Sequence, residues 1–425
     1  IKNGQGHYAK AIESYEKAHE IMKKILPVNH PGLATSYNNI GLMYNSMGDY
    51  SKALESYEKS LQMKEKTLPA DHSSLATLYN NIGGVYGSMG KYSKALEYYE
   101  KSFEIRKKTL PVNHPDVATS YNNIGLVYKN MGEYSKALEY HEKSLKIRKE
   151  TLPTDHPDLA VSYNNIGNLY HRMGEYSKAL KYYEKSFEIR KKTLPVNHPD
   201  VATSYNNIGL VYDHMGEYSK ALKYYEKSLE IRKKTLPVNH PDLATSYNNI
   251  GLIYNSMGEY SKALKYYENS LEIRKKTLPA DHPDLATLYN NIGLMYNSMG
   301  EYSKALKYYE NSLEIRKKTL PADHPDLATL YNNIGLMYNS MGEYSKALEY
   351  YENSLEIYKE ALPANHPYLA ASYNNIACVY TTKTDYKKAV NYFERALDIF
   401  QLSLPSNHPN IQSVKQSIDF LKEKR

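Results

Sequence analysis

The sequence predicts an all-α fold, a solenoid of tandem antiparallel helix pairs. Two markers carry that expectation. The pentapeptide YNNIG at Tyr37–Gly41 returns at Tyr79, Tyr121, Tyr163, Tyr205, Tyr247, Tyr289, Tyr331 and, as YNNIA, at Tyr373, always 42 residues on. An Asn/Asp-His pair keeps the same interval from Asn29-His30 to Asn407-His408. A fixed period of this length marks an array in which each unit buries its apolar face only against its neighbours.

Residues 1–30 read as a truncated half-repeat, the second helix of a unit whose first helix is missing, with Ala11, Tyr15 and Ala18 on one face. Nine complete tandem units are expected over residues 31–408, opening near Pro31, Ser73, Pro115, Pro157, Pro199, Pro241, Pro283, Pro325 and Pro367. In the third unit Asn113 is the expected cap. Pro115 fits the first turn, where its missing N–H costs nothing, and Asp116 suits the positive helix end. The first helix is expected to run to Met131, with Gly132 supplying a positive-φ stop. A second helix is expected from about Glu133 to Leu152, closed by Pro153, its basic finish Arg148-Lys149 read as a solvated helix end.

Periodicity sorts the faces. Tyr121, Ile124, Gly125 and Tyr128 follow i, i+3, i+4, i+7 and form the arc of the first helix that must be buried. Tyr134, Ala137, Leu138, Ser144 and Leu145 form the matching arc of the second, while Lys136, Glu139, Glu142 and Lys143 form its wet side. Residues 409–425 are expected to be a capping helix, with Ile411, Val414, Ile418 and Leu421 turned toward the last pair.

Composition bounds the function. The chain of 425 residues has no Trp and 46 Tyr, aromatics that bury large areas while keeping a hydroxyl for a partner. No run approaches the roughly 18 apolar residues of a membrane span. One cysteine, Cys378, excludes an intramolecular disulfide, and no Asn-x-Ser/Thr sequon occurs, which favours a reducing, cytoplasmic setting. A net charge of +7 over this length is too dilute to imply nucleic acid.

These residues resemble the tetratricopeptide repeat in its 42-residue form, most closely the arrays of kinesin light chains and nephrocystin-type proteins. The matching positions in the third unit are Tyr121, Ile124-Gly125, Tyr128, Gly132, Tyr134, Ala137 and Ser144, with the HPDVA opening and an LEIR-type second helix seen in full at Leu229–Arg232. The resemblance covers residues 7–408. It implies a right-handed superhelix whose first helices line a concave wall, and a scaffold that binds extended or helical segments of partner proteins. The heptad coiled coil that precedes the repeats in kinesin light chains is not found in this sequence.

A second stripe on the first helix, Thr119, Asn122, Asn123, Leu126, Lys129 and Asn130, lies about 140° from the buried arc. The second Asn of each pentapeptide, Asn39, Asn81, Asn123, Asn165, Asn207, Asn249, Asn291, Asn333 and Asn375, matches the asparagine ladder with which such arrays grip a peptide backbone. An amide offers both donors and an acceptor to a peptide group, without reading its side chain. The competing expectation is that these amides bond neighbouring helices. Selectivity is then expected where the stripe stops repeating: Lys129 and Asn130, His171 and Arg172, Asp213 and His214, and Asn168 in place of the usual Leu. Lys129 and Arg172 would give a mildly basic lining suited to an acidic peptide.

No catalytic arrangement emerges. One His per unit in the Asn/Asp-His marker spreads these side chains along a line, so they do not converge on a metal. Gly4-Gln5-Gly6 is too short to cradle a phosphate, and Cys378 reads as a small core or groove residue. The chain is therefore expected to be no enzyme, to need no cofactor and to bind protein or peptide partners rather than nucleic acid or membrane. The alternative from another class is a regulatory or targeting array of a larger enzyme, such as an ADP-ribosyltransferase, ATPase or kinase, with its catalytic domain before Ile1.

Overall fold

The structure, a computed structural model, describes residues 2–424, with side chains from Lys10 onward. Ile1 and Arg425, the outer limits of the two expected end segments, lie outside the described residues. Among the described residues every regular element is an α-helix, and the chain divides into two compact bodies, residues 1–215 and 216–425.

The first body holds α1 (Lys2–Ile25), α2 (Pro31–Met47), α3 (Tyr50–Thr67), α4 (Ser73–Ser88), α5 (Tyr92–Thr109), α6 (Pro115–Asn130), α7 (Tyr134–Thr151), α8 (Pro157–Arg172), α9 (Tyr176–Thr193) and α10 (Pro199–His214). The second holds α11 (Tyr218–Thr235), α12 (Pro241–Ser256), α13 (Tyr260–Thr277), α14 (Pro283–Ser298), α15 (Tyr302–Thr319), α16 (Pro325–Ser340), α17 (Tyr344–Ala361), α18 (Pro367–Thr382), α19 (Tyr386–Ser403) and α20 (Pro409–Glu423). Within each body successive helices pack on one another, as an α-solenoid requires.

The even-numbered helices begin at the Asn/Asp-His corner, but the cap is the histidine and not the expected asparagine. His114 is extended (φ −67°, ψ 141°) and its Nδ1 accepts the Asp116 N–H at 3.1 Å. The extended corner residue explains the choice. The donor in need is the N–H two residues past the histidine, that of Asp116 here and of Ser74 after His72, where Ser73 stands in place of proline; it lies within reach of the histidine and one residue beyond the asparagine or aspartate. His30, His72, His156, His198, His240, His282, His324, His366 and His408 cap in the same way. The recurring histidines are thus held by helix starts.

The even-numbered helices from α2 to α18 stop at a left-handed residue. Gly132 has φ 81°, and its counterparts at 48, 90, 174, 216, 258, 300 and 342 are also glycines with positive φ. At the last such corner Thr384 adopts φ 59° instead. A β-branched residue there is strained by about 1–2 kcal/mol, which glycine would relieve at some cost in unfolded-chain entropy. Thr384→Gly is therefore expected to stabilise the C-terminal body by about 1 kcal/mol, read as a higher denaturation midpoint.

Each helix pair is closed by two buried contacts. In α16 and α17 the Tyr351 ring lies on Gly335 so closely that an added Cβ would stand 2.8 Å from Tyr351 Cδ1, and Ser354 Oγ donates to the Ala328 carbonyl at 2.8 Å. The glycine is thus a seat for an aromatic ring. In α18 and α19 the pair has changed together, with Ala377 opposite Phe393 and Ala396 in the serine position.

Consecutive pairs are joined by a contact the sequence reading missed. Arg148, expected to be solvated, is 9% exposed, and its Nη1 donates to Ser162 Oγ at 2.8 Å and to the Asp158 carbonyl at 3.3 Å on α8. Arg106, Arg190 and Arg232 do the same with Ser120, Ser204 and Ser246. Where Leu288 and Leu330 replace that serine, Arg274 and Arg316 pair instead with the carboxylates of Asp284 (3.2 Å) and Asp326 (2.8 Å). At the end of the second body Ile411, Val414, Ile418 and Leu421 of α20 are buried against Val390, Phe393 and Phe400 of α19.

Candidate functional site

The asparagines of the pentapeptide are half-buried and join first helices to one another. Asn123 Nδ2 donates to Asn80 Oδ1 at 2.9 Å, and Asn81, Asn165 and Asn207 donate in the same way to Asn38, Asn122 and Asn164. In the second body Asn375 donates to Asn332 at 2.8 Å. Asn122 links along the helix to Asn123 (3.5 Å), so amides relay from α8 through α6 to α4. Asn39, Asn249, Asn291 and Asn333 occupy the same half-buried register.

Each such bond uses one amide N–H and one lone pair, leaving the second of each in the amide's inventory. The ladder is therefore a helix-to-helix tie with hydrogen-bonding capacity left over. It also fixes a rule of register: residue i on one first helix lies beside residue i+43 on the next. Beside the amides runs an apolar row, with Leu42, Leu252, Leu294 and Leu336 each 37–39% exposed. Cys378 stands in that row and is exposed, with Asn374 Nδ2 at 4.0 Å from its sulfur.

The residues that depart from the repeat meet on α6, α8 and α10. His171 and His214, related by the register rule, are edge to face with ring centroids 4.8 Å apart, and the Tyr176 hydroxyl lies 3.2 Å from His214 Nδ1. His171 Nε2 is buried without a hydrogen-bond partner. Burial, then His214 and Arg172, hold its imidazole below the ordinary histidine range. Lys129 and Arg172 are related by the same register. Lys129 is pushed below the usual lysine range by burial and then by Arg172. Asp213 is raised by burial, against a smaller opposing effect of His214.

Asn168 is tied down, because its Oδ1 accepts the Tyr183 hydroxyl at 2.8 Å. Asn130 is exposed at the end of α6. The residue that sequence reading passed over is His141 on α7. It takes the place of the tyrosine that seats on glycine elsewhere, lies against Gly125, is 1% exposed and has no partner for either ring nitrogen. Burial, then Lys129 and Arg148, push it down to about 4. The signal was available: aligned on the period, position 141 reads His where its neighbours read Tyr99 and Tyr183.

Among the described residues no three His, Cys, Asp or Glu side chains gather as a metal site, and no helix is long and apolar enough to cross a membrane. The family model described as "Tetratricopeptide repeat" matches residues 1–66, 74–150, 116–192, 158–234, 242–318 and 326–401. The chain belongs to the tetratricopeptide repeat family, with helix pairs that recur every 42 residues.

Three solved structures illustrate the likeness. The nearly identical TPR-like repeats of a kinesin light chain from Podosopora anserina share 26% identity, cover 48% of this chain and 98% of that chain, and give a TM-score of 0.44. The apo quorum sensor NprR from B. thuringiensis shares 20% identity over 86% of this chain and 98% of that chain, with a TM-score of 0.55. A signal transduction ATPase with a tetratricopeptide repeat sensor from Pyrococcus horikoshii shares 17% identity over 91% of this chain and 55% of that chain, with a TM-score of 0.61. The present chain thus spans about half of that ATPase's length. No curated protein matches the chain.

Proposed function

We propose that this chain is a cytoplasmic protein-interaction scaffold of nine tandem units over residues 31–408 with a capping helix at 409–425, and that its first helices receive extended or helical segments of partner proteins. The observation that carries the reading is the pairing of two rows on those helices, half-buried amides and leucines more than a third exposed. Amides satisfy the backbone of a bound segment, each net hydrogen bond contributing about 0.5–1.5 kcal/mol, and the leucines take up its apolar side chains. Such a wall binds with modest, sequence-tolerant affinity. Preference is added by Lys129, Asn130, Asn168, His171, Arg172, Asp213 and His214, whose net basic character favours acidic segments.

Peptide display against the full chain tests this. Leu252→Glu/Leu294→Glu/Leu336→Glu, which alters exposed positions only, is expected to cut capture at least about tenfold with an unchanged circular dichroism spectrum. Asn123→Ala/Asn165→Ala/Asn207→Ala is expected to weaken capture and also to lower the melting temperature, since it breaks ties between helices. Binders indifferent to both variants would place the interaction surface elsewhere on the molecule.

A further inference from the structure

The register that ties asparagine to asparagine also sets the pairs further along the same helices. In the repeats of the second body it brings neutral partners together, Asn297 beside Ser340 for example. Between α6 and α8 it brings together two cations, Lys129 and Arg172, 43 residues apart like the bonded Asn122 and Asn165. Neither is ion-paired to a carboxylate among the described residues. Like charges side by side, one of them half-buried, destabilise a helical surface unless a counter-charge sits between them.

The neighbouring His171 is turned away from this pair, toward α10. His171 shares α8 with Arg172, and its Nε2 is buried with no partner. Its other neighbours are His214 on α10, edge to face, and Tyr176 on α9. Asp213 lies on α10 next to His214.

We propose that Lys129 and Arg172 form a subsite for a phosphorylated side chain of a protein partner. This rests on the peptide-binding reading above and names its ligand class. A phosphate monoester carries about −1.5 to −2 charges and three acceptor oxygens at neutral pH, which match two neighbouring cations. A carboxylate supplies one charge and leaves one cation uncompensated. The guanidinium of Arg172 can bond two phosphate oxygens at once, with Lys129 acting as a point charge on the third.

The test uses the full chain and three immobilised degenerate 15-residue peptide libraries that differ only at the central position, which is phosphoserine, glutamate or serine. Retention on the phosphoserine library is expected to exceed that on glutamate by about tenfold, with serine lowest. Lys129→Asn/Arg172→Ser, which installs the neutral pair of the other repeats, is expected to abolish that preference while melting at or above the wild-type temperature. Equal retention on phosphoserine and glutamate, lost in the variant, overturns the phosphate assignment and leaves the acidic-peptide reading standing. Retention on none of the libraries overturns both. A phosphoserine preference that survives the double substitution places the phosphate subsite elsewhere and overturns this one.

Discussion

Tyr309→Ala is expected to destabilise the C-terminal body by about 3–5 kcal/mol, the range for deleting a buried aromatic ring. The ring is 1% exposed and lies on Gly293, where an added Cβ would stand 2.8 Å from Cε1. It also packs into the cluster containing Leu313, Leu327 and Ile334, so the cavity opens at the junction of two helix pairs. Because a solenoid opens locally, hydrogen exchange of α14 to α16 is the readout, and their amides should lose protection together. Tyr267→Phe is the control that separates ring from hydroxyl. The Tyr267 hydroxyl is buried with no partner, so its removal is expected to leave stability level or slightly higher. A large loss in Tyr267→Phe, or none in Tyr309→Ala, would contradict the ring-on-glycine account.

Acidification is expected to weaken the N-terminal body by up to about 3 kcal/mol through His141 alone. The folded-state value is pushed down to about 4, chiefly by burial, then by Lys129 and Arg148. In the unfolded chain the imidazole titrates near about 6.5, and each unit of difference is worth about 1.4 kcal/mol. Above that unfolded value both states hold neutral His141 and no stability is lost. As pH falls from about 6.5 toward 4 the unfolded chain takes up a proton that the folded chain refuses, so stability drops across that window and levels off below it. Denaturation midpoints of wild type and His141→Tyr should diverge between these limits and run parallel outside them. Parallel curves throughout would remove His141 from the account.

Much of the architecture was legible because a solenoid writes its packing into a short period. Ile124 and Gly125 needed only helical spacing to be assigned to the buried arc, whereas Tyr121 and Tyr128, assigned with them, lie half-buried at its edges, and positive-φ stops such as Gly132 followed from the chemistry of glycine. What the sequence could not show was contact across the period. Asn113 is the better cap by residue type, and only the place of the free Asp116 N–H selects His114 over it. Arg148 looks like an exposed helix end until the next pair covers it and supplies a serine and a carbonyl to meet the guanidinium.

The candidate site shows the same division. The departures at Lys129, His171, Arg172, Asp213 and His214 are visible as breaks in a repeat. Their pairing by 43 residues rather than 42 is a property of how neighbouring first helices lie, which no single repeat encodes. That offset by one residue decides that Lys129 meets Arg172 and not His171. It also shows that the asparagines are occupied, in part, with one another.

The arginine joints between pairs act as a grammar for rearranging the chain. Each repeat ends on a letter that the next repeat must be able to answer: Arg232 is met by the hydroxyl of Ser246, Arg274 and Arg316 by the carboxylates of Asp284 and Asp326. Excising residues 283–324 would bring Arg274 opposite Asp326 and Leu330, the same answer it has now, so the splice leaves no unmatched guanidinium. Excising residues 241–282 would instead set Arg232 before Asp284 and Leu288, exchanging a hydroxyl partner for a carboxylate. Either splice leaves the guanidinium answered, by a hydroxyl or by a carboxylate, so these joints tolerate a change of copy number in this stretch.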